Sequence, residues 1–253
     1  IMNKNEMKEK LVSGKNVIGL FQNVINPNIT EIMGLLGFDF VIVDGEHTTF
    51  NPNLAEEHFR AAELRNISSI TRIGQNDQQV IQKFLDAGSE GVLMPLINNI
   101  TDATSVVDSV KYPPIGKRGL ASGRGSSYGI PQTVKEHVDS ANAETLVAIQ
   151  IETTEAMENV EEICSLNEVD VLFFGPSDIS SSFGIHGQTN DPKVRDTIAK
   201  LSKIAIANGK ACGTIARDAD DFKFYKEAGF QWFCSGVTNM LQSGMKNYLT
   251  ELK

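Results

Sequence analysis

The sequence predicts an α/β fold, a single-domain (β/α)8 TIM barrel, and three observations carry the prediction. Short apolar runs recur along the chain, amphipathic stretches separate them, and several runs close on polar residues. The runs are VIGLF (17–21), FDFVIVD (38–44), SSITRI (68–73), GVLMPLI (91–97), LVAIQIE (146–152), VDVLFFG (169–175), KACGTIA (210–216) and QWFCSG (231–236). Most are continuously apolar instead of alternating, as parallel strands buried on both faces require. Eight such runs alternating with helices favour a closed barrel over an open doubly wound sheet. The 253 residues suit one such unit, and no linker-like or low-complexity stretch divides 1–253.

Helix signals fill the intervals. NPNITEIMGLLG (26–37) opens on turn formers and closes on Gly37 at a C′ position. DQQVIQKFLDAG (77–88) places Val80, Ile81, Phe84 and Leu85 at helical spacing and closes on Gly88. TEAMENVEEICS (154–165) reads as a helix, and so does the stretch 191–209, which opens with Asp191 as N-cap and Pro192 at N1. Tyr112 to Ser140 breaks the rhythm: it is longer than a normal connection and rich in Gly, Ser and Pro, the mark of a functional or mobile loop.

Composition excludes several function classes. The formal charge is −9 with Lys and Arg scattered, so no basic face exists for nucleic acid. The charged N-terminus lacks an apolar h-region, and no apolar run approaches the ~18 residues of a membrane span. Cys164, Cys212 and Cys234 are odd in number and widely spaced, without a CxxC pair. They read as small buried side chains in a reducing, cytoplasmic compartment.

Active sites of such barrels lie at the C-terminal ends of the strands. There the sequence places Asp44-Gly45-Glu46-His47, Thr71-Arg72, Gln150-Ile151-Glu152 and Gly175-Pro176-Ser177-Asp178. Charge directly after an apolar strand is costly unless paired or bound, and several such endings on one rim indicate a site. Glu152 and Asp178 on neighbouring strand ends either share a divalent cation or pair separately with arginine and helix N-termini. Gln150 and Glu152 share one side of their strand. Arg72 suits a carboxylate or a developing enolate oxygen, or else a salt bridge to a rim acid. His47 is a candidate general base or a structural residue. His58, His137 and His186 read as surface residues. The glycine-rich segment 116–129 lacks a phosphate-loop signature. It is either a lid carrying Arg118 or Arg124 to an anionic substrate, or a surface loop.

The ordered set DGEH (44–47), TR (71–72), GVLMP (91–95), YPPIGKRG (112–119), QIET (150–153) and GPSDIS (175–180) resembles the HpcH/HpaI aldolase family, over nearly the whole chain from Val17. The resemblance implies a class II, pyruvate-specific aldolase acting on 4-hydroxy-2-oxo acids, with Mg²⁺, Mn²⁺ or Co²⁺ as cofactor. It implies a homohexamer with sites near subunit interfaces. It makes Glu152 and Asp178 the metal ligands, and Arg72, His47 and Asp44 catalytic. Asp86 becomes a partner for the histidine across an interface. Gln150, Ser177, Phe21, Ile215 and Arg124 become substrate-facing positions. Two departures concern specificity: Phe21 stands where a tryptophan is frequent, and Gly236-Val237-Thr238 replaces a Gly-x-Asp pattern. Three alternatives stay open. They are a CoA-ester lyase, a non-lyase enzyme using the same enolate, and a non-catalytic oxo-acid-binding barrel.

Overall fold

Residues 4–253 are described by a computed structural model. Eight parallel strands close into one barrel in sequence order, β1 (Val17–Gln22), β2 (Phe40–Asp44), β3 (Ser68–Arg72), β4 (Gly91–Met94), β5 (Leu146–Ile151), β6 (Val171–Phe174), β7 (Ala211–Ile215) and β8 (Trp232–Gly236). The predicted barrel and all eight strand positions are therefore observed. Helices α1 (Glu6–Val12), α2 (Pro27–Leu36), α3 (Pro52–Leu64), α4 (Gln78–Ala87), α5 (Ile100–Val110) and α6 (Val134–Glu144) belong to the first half of the chain. In the second half, α7 (Thr154–Glu158), α8 (Val160–Cys164), α9 (Pro176–Ser182), α10 (Pro192–Ala207), α11 (Ala219–Glu227) and α12 (Val237–Leu252) complete the order.

Capping chemistry sets several boundaries. Asn26, Asn51, Asp77, Asn99 and Asp191 each accept a backbone N–H from the first turn of the helix they open. Gly37 and Gly88 end α2 and α4 in the left-handed conformation, as the sequence signals require.

Strand alternation decides what reaches the barrel mouth. One residue set fills the interior: Phe40 and Ile42, Leu146 and Ala148, Val171 and Phe173, Trp232 and Cys234. These side chains recur every second residue. Continuing each series toward the C-terminal end places Asp44, Gln150, Glu152 and Gly175 inside the rim. Phe21, Ile70 and Ile215 join the same interior cluster, which carries Arg72 into line two residues after Ile70. At the other end α1 inserts Met7 and Leu11 and closes the barrel floor. No expectation from the sequence covered this helix, although Asn5 caps its first turn by accepting the Lys8 N–H.

Three further expectations are corrected. The 154–165 helix breaks at Asn159 into α7 and α8. The irregular 112–140 segment holds only a 3₁₀ turn at Arg124–Gly129, then α6 starts with a Thr133–Glu136 capping box. His58 and His137 are buried, not surface residues. The reason for His58 is legible afterwards. Ala55, His58, Phe59 and Ala62 form one buried i, i+3, i+4, i+7 stripe on α3, so its imidazole falls on the core face. Burial lowers His58 to about 4, keeping it neutral. His186 is exposed, as read.

Only Val237 of α12 is buried. Leu241, Met245, Tyr248 and Leu252 form an exposed apolar stripe. Among the described residues no helix is long and apolar enough to cross a membrane. All three cysteines are free and buried.

Candidate active site at the barrel mouth

Strand register puts Asp44 directly beside Arg72. The Arg72 guanidinium donates from Nε to Asp44 Oδ1 at 2.9 Å and from Nη2 to Oδ2 at 2.7 Å. This bidentate clamp orients the cation on a rigid strand pair and leaves Nη1 to the site. Phe21 lies under the guanidinium, 4.6 Å from its carbon to the ring centroid. Burial pushes Asp44 upward, but the Arg72 hydrogen bonds and charge and the N–H groups of His47 and Glu46 outweigh it, holding the carboxyl below its ordinary range. Those two N–H groups donate to Asp44 Oδ1 at 3.3 and 3.1 Å, so the carboxylate also shapes the turn after β2. His47 itself faces outward at the rim, 70% exposed.

Across the mouth, Glu152 is buried and held at both oxygens. Oε1 accepts the Leu96 N–H at 2.9 Å, and Oε2 accepts from the Gln150 side-chain amide. Leu96 adopts φ +54° to aim that N–H, a left-handed conformation costing a non-glycine residue about 1–3 kcal/mol. Asp178 stands in the first turn of α9. An ideal Cβ on Gly175 would lie 3.3 Å from Asp178 Oδ2, 3.6 Å from Gln150 Nε2 and 3.7 Å from Glu152 Oε2. The two carboxylates and the amide therefore border one small space, which glycine leaves open. Burial, with Asp178 and Glu46 nearby, raises Glu152 to about 7 against the pull of the Leu96 N–H.

These residues fit a divalent cation. Two converging carboxylates repel unless a cation lies between them, and the Gln150 Oε1 atom is buried without a hydrogen-bond partner among the described residues. No group of three or more His, Cys, Asp or Glu among those residues is placed to hold a metal. The chain thus offers two carboxylates; water and substrate oxygens would have to complete the set, an arrangement that suits Mg²⁺ or Mn²⁺.

Asp44, His47, Arg72, Gln150, Glu152, Ser177, Asp178, Phe21 and Ile215 all lie at this end of the barrel. Arg124 does not. Its Nη1 donates to Ala87 O at 2.9 Å and its Nη2 to Glu63 at 2.5 Å, at the far ends of α3 and α4. The expectation of a lid arginine over its own site is therefore corrected: the glycine-rich segment straps across α4. Asp86, at the same far end, pairs with buried Arg118 at 2.8 Å and does not meet the His47 of its own chain. Sequence reading passed over Glu46 and Leu96 as site residues. Glu46 was signalled by its place in the β2 ending, and Leu96 by nothing, because a backbone N–H has no residue signature.

The family profile described as HpcH/HpaI aldolase/citrate lyase matches residues 17–243. A hydroxypyruvate/pyruvate aldolase of Sagittula stellata is 34% identical over 90% of this chain and 90% of its own length. A 5-keto-4-deoxy-D-glucarate aldolase of Enterobacter sp. is 33% identical over 92% of this chain and 90% of its own. The crystal structure of an HpcH/HpaI aldolase from Desulfitobacterium hafniense superposes with a TM-score of 0.91 at 32% identity, covering 98% of this chain and 96% of that one. The chain belongs to the HpcH/HpaI aldolase/citrate lyase family and is a carbon–carbon lyase of the aldolase type.

Proposed function

We propose that this enzyme reversibly cleaves a 4-hydroxy-2-oxo acid to pyruvate and an aldehyde, with a divalent metal ion held by Glu152 and Asp178. The observation that carries the reading is the space beside Gly175, bordered by Glu152, Asp178 and Gln150, with a clamped Arg72 near enough to feel the Glu152 charge. When bound, Mg²⁺, Mn²⁺ or Co²⁺ supplies Lewis acidity toward the 2-oxo group.

The remaining work falls to side chains. Arg72, fixed by Asp44, directs its free N–H donors at the oxygen where negative charge develops as the C3–C4 bond breaks. Being held before substrate arrives, it needs no reorganisation in the transition state. Gln150 and Ser177 orient the oxo acid. Phe21 and Ile215 form an apolar wall on the aldehyde side, and phenylalanine in place of a larger indole widens it. His47 handles the proton that leaves the C4 hydroxyl. Asp86 reaches a His47 only from a second copy.

The exposed stripe on α12 supports assembly into a homo-oligomer, proposed as the hexamer, because apolar side chains at helical spacing need a covering surface. An apolar groove of about 290 Å³ lined by Ile18, Leu20, Phe38, Phe222 and Met240 offers one. Three free buried cysteines support a reducing, cytoplasmic setting.

The test is a panel of aldehydes with pyruvate and each of the three metals, read by product mass, with EDTA controls. Metal-dependent aldol products are expected. Absence of any product, together with cleavage of a CoA ester, overturns the reading.

A further inference from the structure

The turn after β2 carries a carboxylate that the mechanism above leaves idle. The Glu46 side chain is only 14% exposed, although its neighbour His47 faces water. Its Oε2 lies 3.3 Å from Arg72 Nε and 3.6 Å from His47 Nε2. Neither approach is a hydrogen bond. The Arg72 Nε–H is directed at Asp44, and Glu46 Oε2 is shielded from solvent without a hydrogen-bond partner. Gly74 fixes this aim, because its missing Cβ would lie 3.2 Å from Glu46 Cγ.

Oε2 is ion-paired with Arg72 but accepts no hydrogen bond; a desolvated acceptor in that state costs about 1–3 kcal/mol, so the site has room for a donor. The other groups facing it are Asp44, Asp178 and Glu152, all acceptors when ionised, besides Arg72 and His47. A substrate hydroxyl supplies the missing donor. Burial, aided by Asp44 and Asp178, raises Glu46 above the ordinary carboxylate range despite Arg72 and His47. A base of that kind works closer to neutral pH.

We propose that Glu46 accepts the C4-hydroxyl proton of the substrate and passes it to His47, which releases it to solvent. The inference rests on the retro-aldol reading of this site. In cleavage the O–H bond breaks toward Glu46 and the electron pair left on oxygen forms the aldehyde C=O. The C3–C4 pair moves to C3 as the enolate, which takes up a solvent proton to become pyruvate. In the aldol direction Glu46 returns the proton to the new alkoxide.

The experiment measures retro-aldol kcat and KM across pH for the wild type, Glu46→Gln and Glu46→Asp with Mn²⁺. Exchange of the pyruvate methyl protons with deuterated solvent is followed in parallel by NMR. Glu46→Gln is expected to lose at least 100-fold in kcat while KM and methyl exchange stay within about threefold, since exchange needs no C4 hydroxyl. Its pH profile should lose the acid limb. Glu46→Asp, which keeps the base but retracts it, should recover part of the rate. Cleavage by Glu46→Gln within about fivefold of wild type overturns the proposal. So does an equal fall in cleavage and exchange, which marks Glu46 as a support for Arg72 alone. A wild type that exchanges pyruvate protons but cleaves no 4-hydroxy-2-oxo acid overturns the retro-aldol reading and the proposal with it.

Discussion

The two ends of the barrel bury comparable polar groups and treat them in opposite ways. At the floor, Lys111 Nζ donates to Asn142 O at 2.8 Å and Thr145 O at 2.7 Å, and Lys210 Nζ donates to Leu166 O at 2.6 Å. Each buried ammonium there caps the carbonyl end of a helix, where the dipole and orphan acceptors welcome a cation. At the mouth, Asp44, Glu46 and Glu152 act on a single Arg72, and acceptor atoms of Glu46 and Gln150 accept no hydrogen bond among the described residues. The floor binds its cations with backbone carbonyls, although burial still pushes Lys111 down to about 8 and Glu90 up to about 7. The mouth keeps acceptors open, as the proposed metal and oxo-acid site requires.

Breaking the mouth should therefore cost activity first. Arg72→Ala should lower kcat/KM for cleavage by at least 10³ and slow pyruvate proton exchange. It should also lower Tm, because Asp44 loses its partner. Retention of either rate would refute the role of Arg72.

Glu152→Ala combined with Asp178→Ala should abolish turnover and EDTA sensitivity together. A fully active double variant would remove the metal site from the scheme. Without metal, the raised Glu152 has a definite sign. Its folded pKa of about 7 exceeds the unfolded value of 4.5, so its contribution is intact below about 4.5 and lost as pH rises through 7. The loss approaches about 3 kcal/mol. The metal-free Tm should fall by several degrees between pH 5 and 8, and added Mn²⁺ should restore it most strongly above pH 7. Glu90, also raised to about 7 by burial, acts in the same direction, so Glu90→Gln is the control that isolates Glu152.

Breaking the floor should do the reverse. Lys111→Met strands two buried carbonyls and should lower stability by about 2–4 kcal/mol, with cleavage by the folded fraction unchanged. A Tm within 1 °C of wild type, measured calorimetrically, would show that the floor is not the stabilising end.

The smallest effect is expected from Arg124→Ala, which removes its contacts to Glu63 and to Ala87 O. Stability should fall by about 1–2 kcal/mol, and KM for the oxo acid should not move. A large rise in KM would return Arg124 to the substrate.

Much of this was legible because barrel parity is arithmetic. Counting by twos from Phe40 reaches Asp44, and from Leu146 reaches Gln150 and Glu152, without coordinates. Placement of Arg124 and Asp86 was not legible, since a glycine-rich connection encodes no direction. The burial of His58 was readable from its stripe on α3 and was missed. The Leu96 contribution is carried by backbone conformation alone.

The order of the strands has a consequence for how activity appears during folding. The seam joining Val17 to Trp232 and Phe21 to Gly236 unites the two ends of the chain, and the mouth draws on strands from both sides of it. Contacts between residues so distant in sequence form late, after local helices and neighbouring strand pairs. Catalytic competence should thus lag helix formation on refolding, and its return should report the moment the ring closes.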